Sequence, residues 1–346
     1  MGKRHYFIYT AEVLMSLLVV CGLFWVAFFV KPTVNVEKIK RFPLERRDAF
    51  YSVAALDDQG QSVCAVGSYG KIIRTDDGGV TWEIQKTPTQ NHLQKVAAWN
   101  KDSLMAIGDK DTVLVTRDAG KSWKGIEVPS FSLGGQLLSS YIEAESGRAW
   151  VVGSMGVVLV SEDRGDSWSM VHPEEDVSWN DVTVAPDDTV WVVGEFGSVK
   201  YSRDNGQSWE RVTVPTESSL NAIEFSGHNH GAIVGLSGTV LVTADGGQSW
   251  HLAETGMKTH LYDLLWDGNT YLAVGDAGMI LTAGVQGVEW KADKLAPQNY
   301  AWYTGITRVG DSYFVSGAGV GVYADKKWIP FEPGLRVYKK GNIDNG

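Results

Sequence analysis

Two hydrophobic patterns divide the chain. From Val13 to Val30 no residue is charged and only Ser16 is clearly polar. At 1.5 Å per residue that run makes about 27 Å of helix, close to the ~30 Å hydrocarbon core of a bilayer. Lys3 and Arg4 precede it, and its exit, Phe28-Phe29-Val30-Lys31-Pro32, offers no small-residue cleavage site. The run predicts one uncleaved N-terminal transmembrane helix. Cys21 does not read as a lipid-attachment site, because Val20 precedes it and apolar residues follow. Beyond residue 50 the apolar runs shorten to strand length. Asn221–Phe225, Gly231–Val234 and Thr239–Thr243 read as three successive strands, and Trp250-His251-Leu252 opens a fourth. No amphipathic run of helical length interrupts such strands, which excludes a helical repeat.

The strands recur at a fixed spacing. The pattern [S/T]-x-D-x-G-x-[S/T]-W describes Thr75–Trp82, Thr116–Trp123, Ser161–Trp168, Ser202–Trp209 and Thr243–Trp250, and weaker copies end at Trp290 and Trp328. These tryptophans stand 41, 45, 41, 41, 40 and 38 residues apart. A second marker runs in phase. Gly67-Ser68-Tyr69-Gly70 recurs as Gly153–Gly156, Gly194–Gly197, Gly235–Gly238 and Gly275–Gly278, with variants at Gly108 and Gly317-Ala318-Gly319. A period near 40 built from four short strands is a propeller blade. The expected fold is therefore all-β, a seven-bladed β-propeller preceded by one N-terminal transmembrane helix. Residues 1–31 form the tail and anchor, 32–49 a basic linker, 50–333 the propeller and 334–346 a C-terminal tail. Within a blade the Gly pair makes the second turn, where positive φ is easily taken. The Asp-containing box makes the third. Asp77, Asp118, Asp163, Asp204 and Asp245 are expected to accept hydrogen bonds within their own turns. Trp82, Trp123, Trp168, Trp209 and Trp250 are expected to pack between neighbouring sheets, burying ~150–250 Å² each. All ten read as structural. Ring closure has two solutions: an outer strand from Trp328-Ile329-Pro330-Phe331, or addition of the segment near Arg41–Arg47.

Composition narrows the chemistry. The 14 Trp and 39 Gly fit a repeated Gly/aromatic motif, and two Cys exclude a disulfide scaffold. A net charge of −10 excludes a general nucleic-acid binder. Cys64 reads as a small buried hydrophobe. His228-Asn229-His230 lacks further ligands nearby, so no metal is expected. The Gly pairs are hairpin turns rather than phosphate cradles, so neither a cofactor nor a catalytic residue is expected.

The boxes are those of Asp-box (BNR) propellers. The joint pattern V-G-x-x-G-x-[VI] followed by [S/T]-x-D-x-G-x-S-W resembles the photosystem II stability/assembly-factor-like family over residues 50–330. That resemblance implies a non-enzymatic propeller outside the cytoplasm that binds membrane-protein subunits. Photosynthetic members carry a basic surface for that purpose. This chain is acidic, carries an anchor and shows no Arg cluster on its blades, and so resembles a non-photosynthetic, membrane-anchored branch. Such bacterial proteins are commonly encoded beside RND-superfamily exporters. The resemblance thus implies an accessory or assembly subunit of a bacterial inner-membrane complex, with the propeller in the periplasm and an RND-type transporter as a candidate partner. Basic residues flank the span on both sides (Lys3 and Arg4; Lys31, Lys38, Lys40, Arg41, Arg46 and Arg47), so charge alone leaves the orientation open. The resemblance is what favours export.

Strand alternation puts the Gly-pair turns and the blade-to-blade connections on one face. Tyr69, Met155, Phe196 and Leu236 are apolar residues in those turns. Phe131 and Leu133 lie in a lengthened connection between the second and third blades, and Trp302 in the last connection. These seven are the candidate partner-binding residues. The competing reading folds the tip side chains down onto neighbouring blades. His172-Pro173-Glu174-Glu175-Asp176 reads as solvated acidic surface. The alternative function is a carbohydrate-binding or glycoside-hydrolysing Asp-box propeller, which needs converging carboxylates. Arg148, Arg211, Arg308 and Arg336 show no recurring placement that would bring them together.

Overall fold

The computed structural model describes residues 48–129 and 135–331, together with Met15 and Leu18, both helical. Among these residues no helix is long and apolar enough to cross a membrane. Apart from Met15 and Leu18, the expected span lies outside the described residues, as do the segment Arg41–Arg47, Phe131 and Leu133.

From Phe50 to Pro330 the chain forms seven four-stranded antiparallel sheets, each taking its strands in sequence order. In the first five blades the second strand is a short unbroken apolar run, such as Val63–Gly67 or Leu104–Gly108, and every residue of it is buried; in the last two, Thr270–Gly275 and Ser312–Gly317 are buried except at their first one or two residues. That pattern suits a strand covered on both faces. The outer strands, such as Glu83–Gln85 and Lys124–Ile126, are mostly exposed. The first strands pack side by side around the axis, and the first strand of the first blade meets that of the seventh, so the ring closes.

Seven hydrophobic clusters hold the blades together, and each is shared by consecutive blades. Each contains the tryptophan that ends the repeat of one of its two blades. Trp168 packs on Trp99 and Val115 of the preceding blade, and Trp250 on Trp191 and Phe225. The box itself is a closed hydrogen-bond set. Asp77 accepts from the Thr81 backbone N–H (2.8 Å), the Thr81 hydroxyl (2.6 Å) and the Thr75 hydroxyl (2.7 Å), while Thr75 Oγ1 accepts from the Gly79 N–H (2.9 Å). Asp118, Asp163, Asp204 and Asp245 repeat the arrangement. Hydrogen bonds from Ser122 and Ser208 hold the Asp118 and Asp204 carboxyls down at about 2. The weak seventh copy is a different turn, in which Asp325 (φ 49°) and Lys326 (φ 60°) take the place of the box and Trp328 packs on Tyr303.

Of the two closure solutions, the structure uses a C-terminal outer strand, Lys327–Pro330, for the seventh blade. The seam with the first blade carries polar stitches near the axis and an aromatic plug outside. The Thr304 hydroxyl donates to the Tyr51 carbonyl (2.9 Å). Farther out, Phe331 packs on Trp82 (5.5 Å between centroids) and fills the space beside Gly79, where a Cβ would lie 2.5 Å from its ring. Phe331→Ala leaves a void at this one seam. It is expected to lower unfolding free energy by about 3 kcal/mol in denaturant titration, whereas Val285→Ala, at an exposed position, is expected to change it by less than ~0.5 kcal/mol.

Candidate functional site: the glycine-turn face and the central channel

The first strand of each blade begins beside the glycine that ends the second strand, as Phe50 does beside Gly67. That glycine is required by proximity. A Cβ at Gly67 would lie 1.9 Å from the Ala49 carbonyl oxygen, and the equivalent distances at Gly108, Gly153, Gly194, Gly235, Gly275 and Gly317 are 1.9–2.2 Å. Its backbone is extended (φ −172° at Gly67), which corrects the expectation of a positive φ at this position. The close approach brings a hydrogen bond in all seven blades, from the N–H after the glycine to the carbonyl before the first strand, at 2.9–3.1 Å. The left-handed residues are the next two but one. In the first blade Tyr69 (φ 57°, ψ 37°) and Gly70 (φ 69°) have the signs of a type I′ hairpin turn. Met155, Phe196, Ser237 and Ala277 occupy the Tyr69 position with φ of 55–59°. A left-handed conformation costs an L-residue about 1 kcal/mol, so bulky residues here are held against a local penalty.

Tyr69 and Phe196 project from this face, 72% and 69% exposed. Met155 and Leu236 are half-buried. Leu236 sits one residue before the tip, and Ser237 holds the position that Tyr69 and Phe196 hold elsewhere. Trp302 stacks on Tyr51 (6.1 Å, planes 17° apart), Tyr51 lies 6.0 Å from His92, and Tyr69 lies 5.1 Å from His92. Two expected residues, Tyr69 and Trp302, thus become the ends of one aromatic run across the closure seam. The His172–Asp176 segment is not simply solvated. The His172 side chain is 3% exposed, and Glu175 takes an ion pair from Lys200 at 2.8 Å. His228 and His230 lie in a first turn, and among the described residues no cluster of three or more ligating side chains is placed to hold a metal.

The turn geometry also shapes the axis. In six blades the pairing slips at the second residue of the first strand, and in the third blade it slips at the same place. Both the second and the third residue can then border the channel. One residue per blade from the second position (Tyr51, Gln94, Leu138, Asn180, Asn221, Tyr262, Thr304) lines a cavity of about 220 Å³, and Lys95, Ser139, Asp181 and Asp263 line it from the third. Several stitch one blade to the next. Asn180 and Asn221 donate to the Leu220 and Leu261 carbonyls (2.8 and 2.7 Å), while Asp181 and Asp263 accept the Ile223 and Ile306 N–H groups (2.9 and 2.8 Å).

The channel concentrates charge. Lys95 Nζ lies 3.7 Å from Asp263 Oδ1, their side chains 28% and 12% exposed. Burial opposes the charge on Lys95, yet Asp263, Asp181 and Glu224 together hold its ammonium above the usual value. Burial raises the Asp181 carboxyl, and burial together with Asp181 and Asp263 pushes Glu224 up to about 8. None of these four residues stood out in the sequence. Aligning the repeats on the glycine marker exposes three of them, because Lys95, Asp181 and Asp263 stand where other blades carry Ser52, Ser139, Ala222 and Gly305.

Glu224 ionises near pH 8 when folded, against 4.5 for the free side chain. Its contribution to stability is therefore complete below pH 4.5 and is lost as pH rises through 8. Asp181, also raised, acts in the same sense. Glu224→Gln stays neutral throughout. Relative to that variant, the parent protein is expected to lose about 2 kcal/mol of unfolding free energy between pH 5 and 8.5, less than full linkage because the side chain is only partly buried. Parallel stability–pH curves would remove the charge assignment.

The sequence profile of photosynthesis system II assembly factor YCF48 matches residues 80–177 and 207–314, more than half of the chain, and a BNR/Asp-box repeat profile matches residues 200–211. The photosystem II stability/assembly factor HCF136 of Arabidopsis thaliana is 25% identical over 131 residues, which span 36% of this chain and 32% of that relative. Among solved structures, YCF48 bound to D1 peptide superposes with a TM-score of 0.68 at 19% identity, over 82% of this chain and 95% of that one. YCF48 from Cyanidioschyzon merolae gives 0.65 at 18% identity, over 85% and 98%. An ancestral GH74 enzyme gives 0.65 at 14% identity, over 84% of this chain and 47% of the enzyme. At these identities the structural likenesses establish the fold. Profile, boxes and seven-fold architecture together make the chain a member of the photosynthesis system II assembly factor YCF48 family of Asp-box propellers.

Proposed function

We propose that the protein is a non-enzymatic, membrane-anchored assembly or accessory subunit whose glycine-turn face docks an integral membrane protein complex. The observation that carries this reading is the pair of exposed aromatic tips, Tyr69 and Phe196, each held in a left-handed conformation, with Tyr69 also ending the aromatic run that reaches Trp302. Large apolar side chains at strained, solvent-facing tips cost stability and mark interaction surfaces. A structural neighbour solved with a bound peptide accords with it.

The uncharged run from Val13 to Val30 supports the anchor, and Met15 and Leu18 within it are helical and 70% and 68% exposed. A tether of this kind raises the effective concentration of the propeller for a membrane partner, so a modest interface suffices. We place the propeller in the periplasm of a bacterial inner membrane, with an RND-superfamily transporter as the candidate partner. The net charge of −10 points to a client with basic segments.

The carboxylates converging on the channel favour a second reading, a glycoside-binding or glycoside-hydrolysing propeller. The volume argues against it. About 220 Å³ is below the ~300–1,000 Å³ of ordinary ligand pockets, and Asp181 and Asp263 are committed to backbone N–H groups of the next blade.

Affinity purification of the full chain from gently solubilised membranes is expected to recover an integral membrane complex. Phe196→Gly and Tyr69→Gly should reduce that recovery several-fold without lowering thermal stability, because relief of about 1 kcal/mol of left-handed strain offsets the added unfolded-state entropy. Recovery of the propeller alone, with hydrolysis of oligosaccharides, would overturn the reading.

A further inference from the structure

The seam between the third and fourth blades departs from the repeat twice. Two residues before the first Ser or Thr of the box, four blades carry the buried side chains Ile73, Leu114, Leu159 and Leu241, whereas the fourth blade carries Lys200. Before the proline of the outgoing connection, three blades carry Thr87, Val128 and Val214, whereas the third carries His172. The fold brings these two departures together, with His172 Nε2 3.0 Å from Lys200 Nζ. An apolar pair would close this seam with no dependence on pH.

The contacts fix the imidazole as neutral. Its Nδ1 lies 2.7 Å from the Pro173 carbonyl oxygen, which only accepts, so Nδ1 carries the proton. Its Nε2 faces the Lys200 ammonium, which only donates, so Nε2 offers a lone pair. The ring is 3% exposed and stands edge-on to Trp179 and Trp209. The charged groups that face it are Lys200, from the third strand of the fourth blade, and Glu175, from its own connection, whose Oε1 lies 3.6 Å from Nε2. Burial, and then the Lys200 ammonium, hold the imidazole below its ordinary value. The stability lent by the neutral ring is therefore complete above pH 6.5, the value of the free side chain, and is lost as pH falls from there through the folded value.

The connection that carries His172 braces two turns of the docking face. The Glu175 N–H donates to the Met155 carbonyl (3.1 Å), and the Gly156 N–H to the Val177 carbonyl (2.6 Å). Ser178 and Glu195, the residue before the Phe196 tip, bond each other twice. The Ser178 N–H donates to Glu195 Oε2 (2.9 Å), and the Glu195 N–H to the Ser178 carbonyl (3.1 Å). Lys200 clamps this connection, donating to both carboxylate oxygens of Glu175 (2.8 and 3.0 Å) as well as to His172.

We propose that His172, Lys200 and Glu175 form an acid-released latch: protonation sets the His172 Nε2–H against the Lys200 ammonium, breaks their hydrogen bond and frees connection 171–178 from the Met155 and Phe196 turns, so that docking at the glycine-turn face weakens in acid. This rests on the docking reading above and adds the regulation of that face. The left-handed Phe196 tip keeps its place only while its neighbours hold it. Release of its brace lowers affinity through lost preorganisation.

The test uses the full chain in detergent, with histidine-selective labelling followed by NMR from pH 8 to 4.5. His172 is expected to titrate below 6.5, and Lys200→Met should move that titration upward. After correction for intrinsic exchange chemistry, residues 174–178 should exchange backbone hydrogen about ten-fold faster at pH 5 than at pH 7.5. His172→Gln keeps a donor for Pro173 and an acceptor for Lys200 but does not take up a proton, and should hold the segment closed at both values. Lys200→Met, which leaves a protonated ring free to pair with Glu175, should also abolish the acid-driven opening. Unfolding curves at pH 7.5 check that both variants are folded. Affinity purification should recover several-fold less complex at pH 5 than at pH 7.5 from the parent, and equal amounts from His172→Gln. Titration of His172 at or above 6.5, or acid opening of the same size in His172→Gln, overturns the inference. Equal recovery of a complex by the parent at both pH values overturns it too, and leaves the docking reading standing. If the exchange switch is present and no complex is recovered at either pH, the docking reading fails and the latch stands.

Discussion

The architecture depends on one close approach repeated around the ring. At the end of each second strand a glycine lies so near the carbonyl that precedes the first strand that no side chain fits between them. The hydrogen bond made there pins two strands at one end of the blade. It coincides with the slip in pairing that brings two successive residues of the first strand to the axis. The turn that follows must be left-handed, which lifts Tyr69 and Phe196 away from the blades. Channel lining and exposed tips therefore share one origin in the backbone. The tryptophan clusters then stack the sheets but do not choose what faces outward from the glycine turns.

The two ends of the propeller are chemically unlike. The box end satisfies itself: each aspartate is saturated by its own turn, and two of the five are held at about 2. The glycine-turn end leaves aromatic surface exposed, and burial and neighbouring carboxylates raise the Glu224 carboxyl in the ring behind it. That contrast follows from where the repeat is strict. The box keeps its pattern through five blades, whereas the residues after the glycine vary from Ser-Tyr to Glu-Phe to Asp-Ala.

Most of the fold was legible because its signals are local and recur. The Asp box, the Gly pair and the tryptophan spacing each report on one turn or one seam, and five strict copies of the box within seven tryptophan-marked repeats reinforce them. The role of the first glycine was less accessible, since a clash with a carbonyl some eighteen residues earlier, as between Gly67 and Ala49, leaves no trace in local propensity. The channel charges were hidden for the opposite reason. Lys95, Asp181, Glu224 and Asp263 are single departures from the repeat, far apart in sequence, and only ring closure brings them together. His172 misled because its neighbours Glu174, Glu175 and Asp176 dominate the local charge, while the ring itself packs on Trp179 and Trp209.

Each of the seven sheets draws its four strands from one uninterrupted stretch of chain. Neighbouring sheets meet through side chains and a few stitches at the inner edge, and among the described residues no ladder runs from one sheet into the next. A tandem duplication of about one repeat would therefore deliver a finished cassette without re-pairing any existing strand. The cost would fall on the junction at Phe331 and Trp82, and on how widely the axis then opens. Evolution by whole-unit copying followed by point change at single first-strand positions is thus an inexpensive route to new pore chemistries on an unchanged frame.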